Sequence, residues 1–196
     1  MPHPLKNQNP TKPIAASRVT LTELMIPSYA NFGGKIHGGI ILSLMDKAAY
    51  ACASKHAGGY CVTVAVENVN FREPIEVGDL VSLMASVNYV GNSSMVIGIR
   101  VTAENVTEGI VRHTNTSYFT MIHKSADGKP AQVPVLLLES AEDVRRFMEA
   151  IKRIELRGKY EEELDRERTN LELKSELHLL VGKRCEFDPE VLADRS

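Results

Sequence analysis

The spacing of hydrophobic and polar positions changes several times along the chain, and each change marks an element. Residues 17–26 (Ser-Arg-Val-Thr-Leu-Thr-Glu-Leu-Met-Ile) mix β-branched and apolar side chains and stop at Pro27, which predicts a first strand. From Gly39 to about Lys55 the period lengthens. Ile40, Ile41, Leu44, Met45, Ala48, Ala49, Ala51 and Cys52 cover most of a helical surface, so this helix is predicted to be buried on nearly every side, with Gly58-Gly59 ending it. Four alternating runs follow. Tyr60–Phe71 places Val62, Val64 and Val66 on one face, and Leu80–Val90 does the same with Val81, Leu83, Ala85, Val87 and Tyr89. Met95–Ala103 sets Met95, Ile97, Ile99, Val101 and Ala103 against Val96, Gly98, Arg100 and Thr102, and Ile110–Ile122 is the last run. Turn residues separate the runs at Pro74 with Gly78-Asp79, at Gly91-Asn92 and at Glu108-Gly109, and Asp127-Gly128-Lys129-Pro130 closes the series.

One strand, one apolar helix and four strands in meander-like succession make an α+β unit, because only a sheet wrapped around the helix could bury it. A single helix on a single sheet has a thin core, which predicts pairing with a second copy. Residues 1–14, rich in Pro, Asn and Lys, read as a frayed arm, residues 15–135 as the folded domain, and residues 136–196 as a charged helical extension. In the extension Val144, Phe147, Met148, Ile151 and Ile154 share one helical face, Ser140 with Asp143 forms a capping-box variant, Gly158 interrupts, and Tyr160–Lys174 is a second, strongly charged stretch. Two readings stand for it: a solvated helical hairpin, or a contact between subunits through the Phe147/Met148/Ile151 stripe.

Composition narrows the function classes. A formal net charge of −2 carries no signal for nucleic acid or an anionic membrane, so an anionic ligand would need a local pocket. No apolar run is long enough to span a bilayer, and the first ten residues lack the apolar core of a signal peptide. The three cysteines (Cys52, Cys61, Cys185) are scattered without CxxC spacing, which argues against a zinc site or disulfide framework and for a reducing, cytoplasmic setting.

Chemistry concentrates around the start of the helix. In Gly33-Gly34-Lys35-Ile36-His37-Gly38-Gly39 the glycines admit close approach of backbone, and the helix amino end offers N–H donors for a developing oxyanion. The segment lacks the Gly-Lys-Ser/Thr ending of a phosphate loop, and no parallel βαβ unit follows it. Asp46 stands mid-helix, where aspartate is a poor helix former; it either shares a solvated edge with Lys47 or serves as a base or nucleophile. A rise of about 1.5 Å per residue separates Asp46 from the helix start by roughly 10–12 Å, so one small carbonyl cannot touch both ends within one chain. If both act on one carbonyl, they come from two antiparallel helices of a dimer. His37 reads either as a general base or as a packing and orienting residue. His56, His113 and His123 lack metal-ligand spacing, no G-x-S-x-G elbow exists, and Cys52 and Cys61 read as core.

These residues carry a resemblance. Asn31-x-x-Gly34-x-x-His37-Gly38-Gly39, Asp46, Cys61-Val-Thr-Val-Ala-Val-Glu67, Phe71-x-x-Pro74-Ile-x-Val-Gly-Asp79 and Val90-Gly-Asn-Ser-Ser-Met95 resemble, in that order, the hot-dog acyl-CoA thioesterases. The bacterial YciA-type enzymes and the cytosolic (brain-type) acyl-CoA hydrolases are the most similar in appearance, over residues 17–135. The resemblance implies a hot-dog fold and hydrolysis of fatty acyl-CoA to free acid and coenzyme A, with no metal or redox cofactor. It implies that Asn31 and Asp46 form a catalytic pair across a dimer interface, Asn31 holding the water or the carbonyl and Asp46 acting as base or nucleophile. The His37-Gly38-Gly39 turn then meets the thioester oxygen through the amide of Gly38 or Gly39. Thr63 and Val64 line the acyl and pantetheine channel, and the turn Gly91-Asn92-Ser93-Ser94 lies near the coenzyme A moiety. Relatives commonly assemble as trimers of dimers, which implies a homohexamer; the long tail departs from the short bacterial members. The alternative from another class is a non-catalytic acyl-CoA-binding regulator. It would not need Asp46, and the mixed-charge tail shows no basic helix of the kind that a DNA-binding sensor carries.

Overall fold

The computed structural model describes residues 10–186 and 188, and the chain divides after Ile151 into two units. The first contains β1 (Thr11–Pro13), β2 (Val19–Leu24), α1 (Gly38–Ala57), β3 (Cys61–Val66), β4 (Asp79–Val90), β5 (Ser94–Asn105), β6 (Ile110–His123), β7 (Val135–Leu137) and the start of α2 (Ala141–Asn170). Five strands make one antiparallel sheet in the order β2-β4-β5-β6-β3, and β1 pairs with β7 in parallel. The α+β hot-dog layout of one sheet against one long helix is what forms. Strands β4, β5 and β6 follow one another as predicted, but β3 leaves the meander and pairs with β6 at the far edge. Both flanks of β4 are already occupied, by β2 and β5, so the free edge of β6 is the place open to β3.

The strand predicted over Tyr60–Phe71 is also shorter. Its ladder ends at Val66 opposite Phe119, and residues 67–78 then run past the start of α1. Ile36 donates its amide to the Ile75 carbonyl at 2.9 Å. The Phe71 ring lies so close to Gly38 that a Cβ there would sit 3.3 Å from it, which is why glycine occupies the first position of the helix.

Helix α1 buries Ile41, Leu44, Met45, Ala48, Ala49, Cys52, Ala53 and His56, and its alanines allow close contact with the sheet. The inward-facing residues are those the alternation predicts: Val81, Leu83, Ala85 and Val87, then Met95, Ile97, Ile99, Val101 and Ala103, joined by Phe119 and Met121. A register shift between Val87 and Tyr89 turns Tyr89 away, and its ring packs on Phe147 of α2 at 5.1 Å. The expectation that the helix is covered on nearly every side fails in the single chain. Leu42, Ser43, Asp46, Lys47 and Tyr50 are exposed, because one sheet covers one side of a helix.

Two further expectations need correction. The frayed arm does not extend over Thr11–Ile14: β1 pairs with β7, Ile14 is buried, and the Lys12 ammonium donates to the carbonyls of Lys55 and His56 at the end of α1. Residues 1–9 lie outside the described residues. In the extension, α2 runs unbroken through Gly158 instead of folding into a hairpin. A helical glycine costs only about 1 kcal/mol, and ion pairs one turn apart support the helix before it (Lys152 with Glu155), across it (Arg157 with Glu161) and after it (Arg166 with Glu163). At its start the Asp143 amide donates to Ser140 Oγ at 3.1 Å while the Asp143 carboxylate accepts the Glu139 amide at 3.2 Å, a capping box shifted by one residue. Among the described residues the second unit holds the rest of α2, the short α3 (Leu173–Glu176) and a 3-10 turn at Leu177–Leu180.

The buried His56 fastens the end of α1. Its Nε2 donates to the Pro134 carbonyl at 3.1 Å, and its Nδ1 lies 3.2 Å from the buried Ser17 Oγ. Burial holds this imidazole below its ordinary pKa; the Pro134 carbonyl opposes the shift and the Lys12 charge adds to it. The folded state therefore favours neutral His56, so its contribution is complete above the unfolded value of about 6.5 and is lost as pH falls from there through the depressed folded value. Replacing His56 with Asn should lower Tm more at about pH 8 than at about pH 5, a narrowing that melting curves of the two proteins across that range will show.

Candidate active site

Asn31 begins a tight loop that closes on itself, with the Asn31 amide donating to the Lys35 carbonyl at 2.7 Å and the Gly34 amide to the Asn31 carbonyl at 3.0 Å. Gly34 has φ 78°, a left-handed conformation that suits glycine. The side chain takes part in the same closure. Asn31 Oδ1 accepts from the Gly33 amide at 2.8 Å and the Lys35 amide at 3.2 Å. Two N–H groups aimed at one end of the carboxamide identify that end as oxygen. The Nδ2 hydrogens have no acceptor among the described residues, so Asn31 presents itself outward as a donor.

His37 caps α1. Its backbone is extended (φ −65°, ψ 127°), and its Nδ1 accepts from the Gly39 amide at 2.9 Å. The Gly39 amide engages the Nδ1 lone pair, so this nitrogen serves the helix cap and is not open to a ligand. The same bond separates two amides that the sequence left equivalent. Gly39 N–H is occupied, whereas Gly38 N–H has no acceptor among the described residues.

Asp46 stands two turns further on, on the exposed face of α1. Thr63 Oγ1 donates to Asp46 Oδ1 at 2.6 Å and thereby fixes the carboxylate, leaving Oδ2 open. Thr63 pairs with Met121, and after a bulge between Thr63 and Ala65 Val66 pairs with Phe119; Val64 and Val66 are both about half exposed on this edge strand. Asp46 lies between two cavities. One, of about 350 Å³, is lined by Lys47, Tyr50, Tyr60, Val62 and Thr63, and the other, of about 520 Å³, by Leu42, Ser43, Val66, Val69, Phe71 and Phe119. Of the residues lining them, sequence reasoning named Asp46 and Thr63 and missed the rest, while Val64, named with Thr63, borders neither cavity. The only sequence signal of the linings is the recurrence of Ser43, Asp46/Lys47 and Tyr50 at helical spacing, a polar and aromatic stripe inside an apolar helix.

The turn Gly91-Asn92-Ser93-Ser94 is not brought to Asp46 within one chain. Gly91 and Asn92 border a separate cavity of about 350 Å³ with Val133, Leu136 and Phe147. Through the ladder Ser94–Ile122–Val62 the turn is two strands from β3, about 10 Å across the sheet. Burial pushes the Cys52 thiol up to about 12 and raises that of Cys61, which makes both core residues and poor nucleophiles. No group of His, Cys, Asp and Glu among the described residues has the arrangement of a metal site.

Comparison with known proteins places this geometry. The Thioesterase superfamily profile matches residues 33–110. Protein VdlD of Helicobacter pylori is 39% identical over 141 residues, 72% of this chain and 80% of that protein. An apo-hexameric acyl-CoA thioesterase of known structure is 33% identical, with a TM-score of 0.75 over 77% of this chain and 97% of that one. The acyl-CoA hydrolase of Staphylococcus aureus, solved with butyryl coenzyme A, coenzyme A and coenzyme A disulfide, is 28% identical, with a TM-score of 0.73 over 80% of this chain and 96% of that one. That hydrolase has also been solved with an asparagine, an aspartate and a threonine each replaced by alanine, at successive intervals of 15 and 17 residues, the intervals that separate Asn31, Asp46 and Thr63. With the motifs, the sheet order and relatives matched over most of their length, the chain belongs to the hot-dog thioesterase superfamily, among its acyl-CoA thioester hydrolases.

Proposed function

We propose that this protein hydrolyses fatty acyl-CoA to the free acid and coenzyme A at a site completed by a second copy of the chain. The observation that carries the reading is Asp46, a carboxylate held by Thr63 on the uncovered face of α1 between an apolar cavity and one bordered by Lys47, Tyr50 and Tyr60. Eight residues of helix separate Gly38 from Asp46, about 12 Å, so neither reaches a carbonyl bound by the other in the same chain. An antiparallel partner helix brings the two ends together. The surface that such a partner would cover is apolar: Tyr60 and Val64 are more than half exposed on or beside the free edge strand β3, with Leu42 and Tyr50 beside them on α1.

In this reading the thioester oxygen accepts from Asn31 Nδ2 and the Gly38 amide of one protomer, two donors free for a developing oxyanion. Asp46 Oδ2 of the partner subunit takes a proton from water as its oxygen bonds to the carbonyl carbon. Collapse of the tetrahedral intermediate breaks the C–S bond, and the sulfur leaves with the proton held by the carboxylate, giving acid and thiol. His37 and Gly39 support the cradle by capping the helix. The cavity of Leu42, Val66, Val69, Phe71 and Phe119 receives the acyl chain, which favours fatty over polar acyl groups. Thr63, Val64 and the Gly91–Ser94 turn serve the thioester and coenzyme A side. A trimer of such dimers is supported by the hexameric relative, and free buried Cys52 and Cys61 suit a cytoplasmic setting.

Thiol release from a panel of acyl-CoA esters tests the activity directly. Wild type should turn over fatty acyl-CoA with no added metal, and Asp46→Ala should lose about 10²–10⁴-fold in kcat while melting normally; wild-type turnover in that variant would overturn the mechanism. Thr63→Val, which keeps shape but removes the donor, should lower kcat about tenfold with a smaller change in KM. An unchanged kcat would show that the Asp46 clamp has no part in the reaction.

A further inference from the structure

The Asn31 loop has a support beyond its own closure. It carries the antiparallel bridge Ala30–Ile36, and it docks on the following connection through the Lys35–Glu76 bridge and the 2.9 Å bond from the Ile36 amide to the Ile75 carbonyl. The strip at Ile75–Glu76 belongs to no strand, so its place must be fixed by something else. Asp79 supplies that fixing. Its Oδ2 accepts the Glu76 amide at 2.9 Å and Arg112 Nη2 at 2.7 Å, and its side chain is only 3% exposed. Its carbonyl accepts the Met25 amide at 2.9 Å, while Gly78, at φ 94°, donates to the Met25 carbonyl at 2.7 Å. The buried carboxylate thus joins the start of β4 to β6 through Arg112 and to the turn on which the Asn31 loop rests, while the backbone of the same residue holds the chain just after β2. The side-chain ion pair of Lys35 with Glu76 is no substitute, since both groups are well exposed and screened by water.

We propose that Asp79 is a positioning residue for hydrolysis, acting through the Glu76 amide and the Lys35–Ile36 segment to place the Asn31 carboxamide. The proposal rests on the assignment of Asn31 as the donor to the thioester oxygen. Asparagine at 79 keeps one acceptor oxygen but not the charge, so the part-buried Glu76 amide and the Arg112 guanidinium compete for a weaker neutral acceptor, and the strip beneath the loop shifts. Small displacements of a transition-state donor weaken rate more than substrate affinity.

A merely structural role for Asp79 would lower activity whether or not Asn31 were present, and a double-mutant cycle on the full chain separates the two. With a fatty acyl-CoA as substrate, Asp79→Asn should lower kcat about tenfold with KM changed less than about twofold, but lower kcat less than about twofold when introduced into Asn31→Ala. The same fold-loss in both backgrounds, or an unchanged kcat in Asp79→Asn alone, would overturn the proposal. Full kcat in Asn31→Ala alone would instead reject the donor assignment on which it rests. If Asp79→Asn does not fold, Arg112→Gln keeps the carboxylate and its bond to Glu76 while removing the counter-charge. It should then show the same non-additivity with Asn31→Ala at smaller amplitude, and equal losses in both backgrounds would again overturn the proposal.

Discussion

One sheet can cover only one side of a helix. In α1 the covered side is closed by small residues, Ala48, Ala49 and Ala53, so that Ile41, Met45 and Cys52 reach the sheet, and the other side stays open with Asp46 on it. A mid-helix aspartate facing the sheet would have to be desolvated and paired. On the open side it needs only the Thr63 hydroxyl to hold it, and it keeps one oxygen free. The position that makes the carboxylate inexpensive to carry also makes it available, and it places the chemistry where a second subunit would close over it.

The other half of the proposed site follows from how backbone donors are spent at the helix start. Every N–H in the turn 31–39 that the chain satisfies internally is one that a ligand cannot use. His37 takes Gly39, and Asn31 Oδ1 takes Gly33 and Lys35. Among the described residues the amides of Phe32 and Gly38 and the Asn31 Nδ2 hydrogens are left without an acceptor, and of the two amides Gly38 is the one at the start of α1. Donors at one end of α1 and a carboxylate two turns along it do not meet in one chain, so the rise of the helix is the geometric reason for proposing a composite site.

Much of this was legible in the sequence, and the parts that were not share a cause. The alternation marked the inward faces of Leu80–Val87 and Met95–Ala103 correctly, since period-two burial is a local property of a strand, and failed at Tyr89, where a register shift intervenes. The edge position of β3 was not legible, because strand order depends on which flanks are already occupied. Nor was the open face of α1: an apolar helix looks the same in sequence whether its second side meets its own chain or another. Gly158 reads as a break, yet i to i+4 ion pairs around it hold α2 together. Asn31, Asp46 and Thr63 could be singled out, but the Thr63–Asp46 bond, the division of labour between Gly38 and Gly39 and the support from Asp79 are three-dimensional facts with no local signature.

The composite site is the central claim, and complementation between two inactive variants addresses it most directly. Asn31→Ala and Asp46→Ala chains, each strongly impaired but not necessarily silent alone, are mixed in equal amounts under conditions that exchange subunits, and acyl-CoA hydrolysis above the sum of the two is followed. Half of the resulting dimers are mixed, and each mixed dimer has one site with both groups intact, so about a quarter of wild-type activity should return. If subunit exchange is demonstrated and no activity returns, Asn31 and Asp46 serve the same site from within one chain, and the account is contradicted.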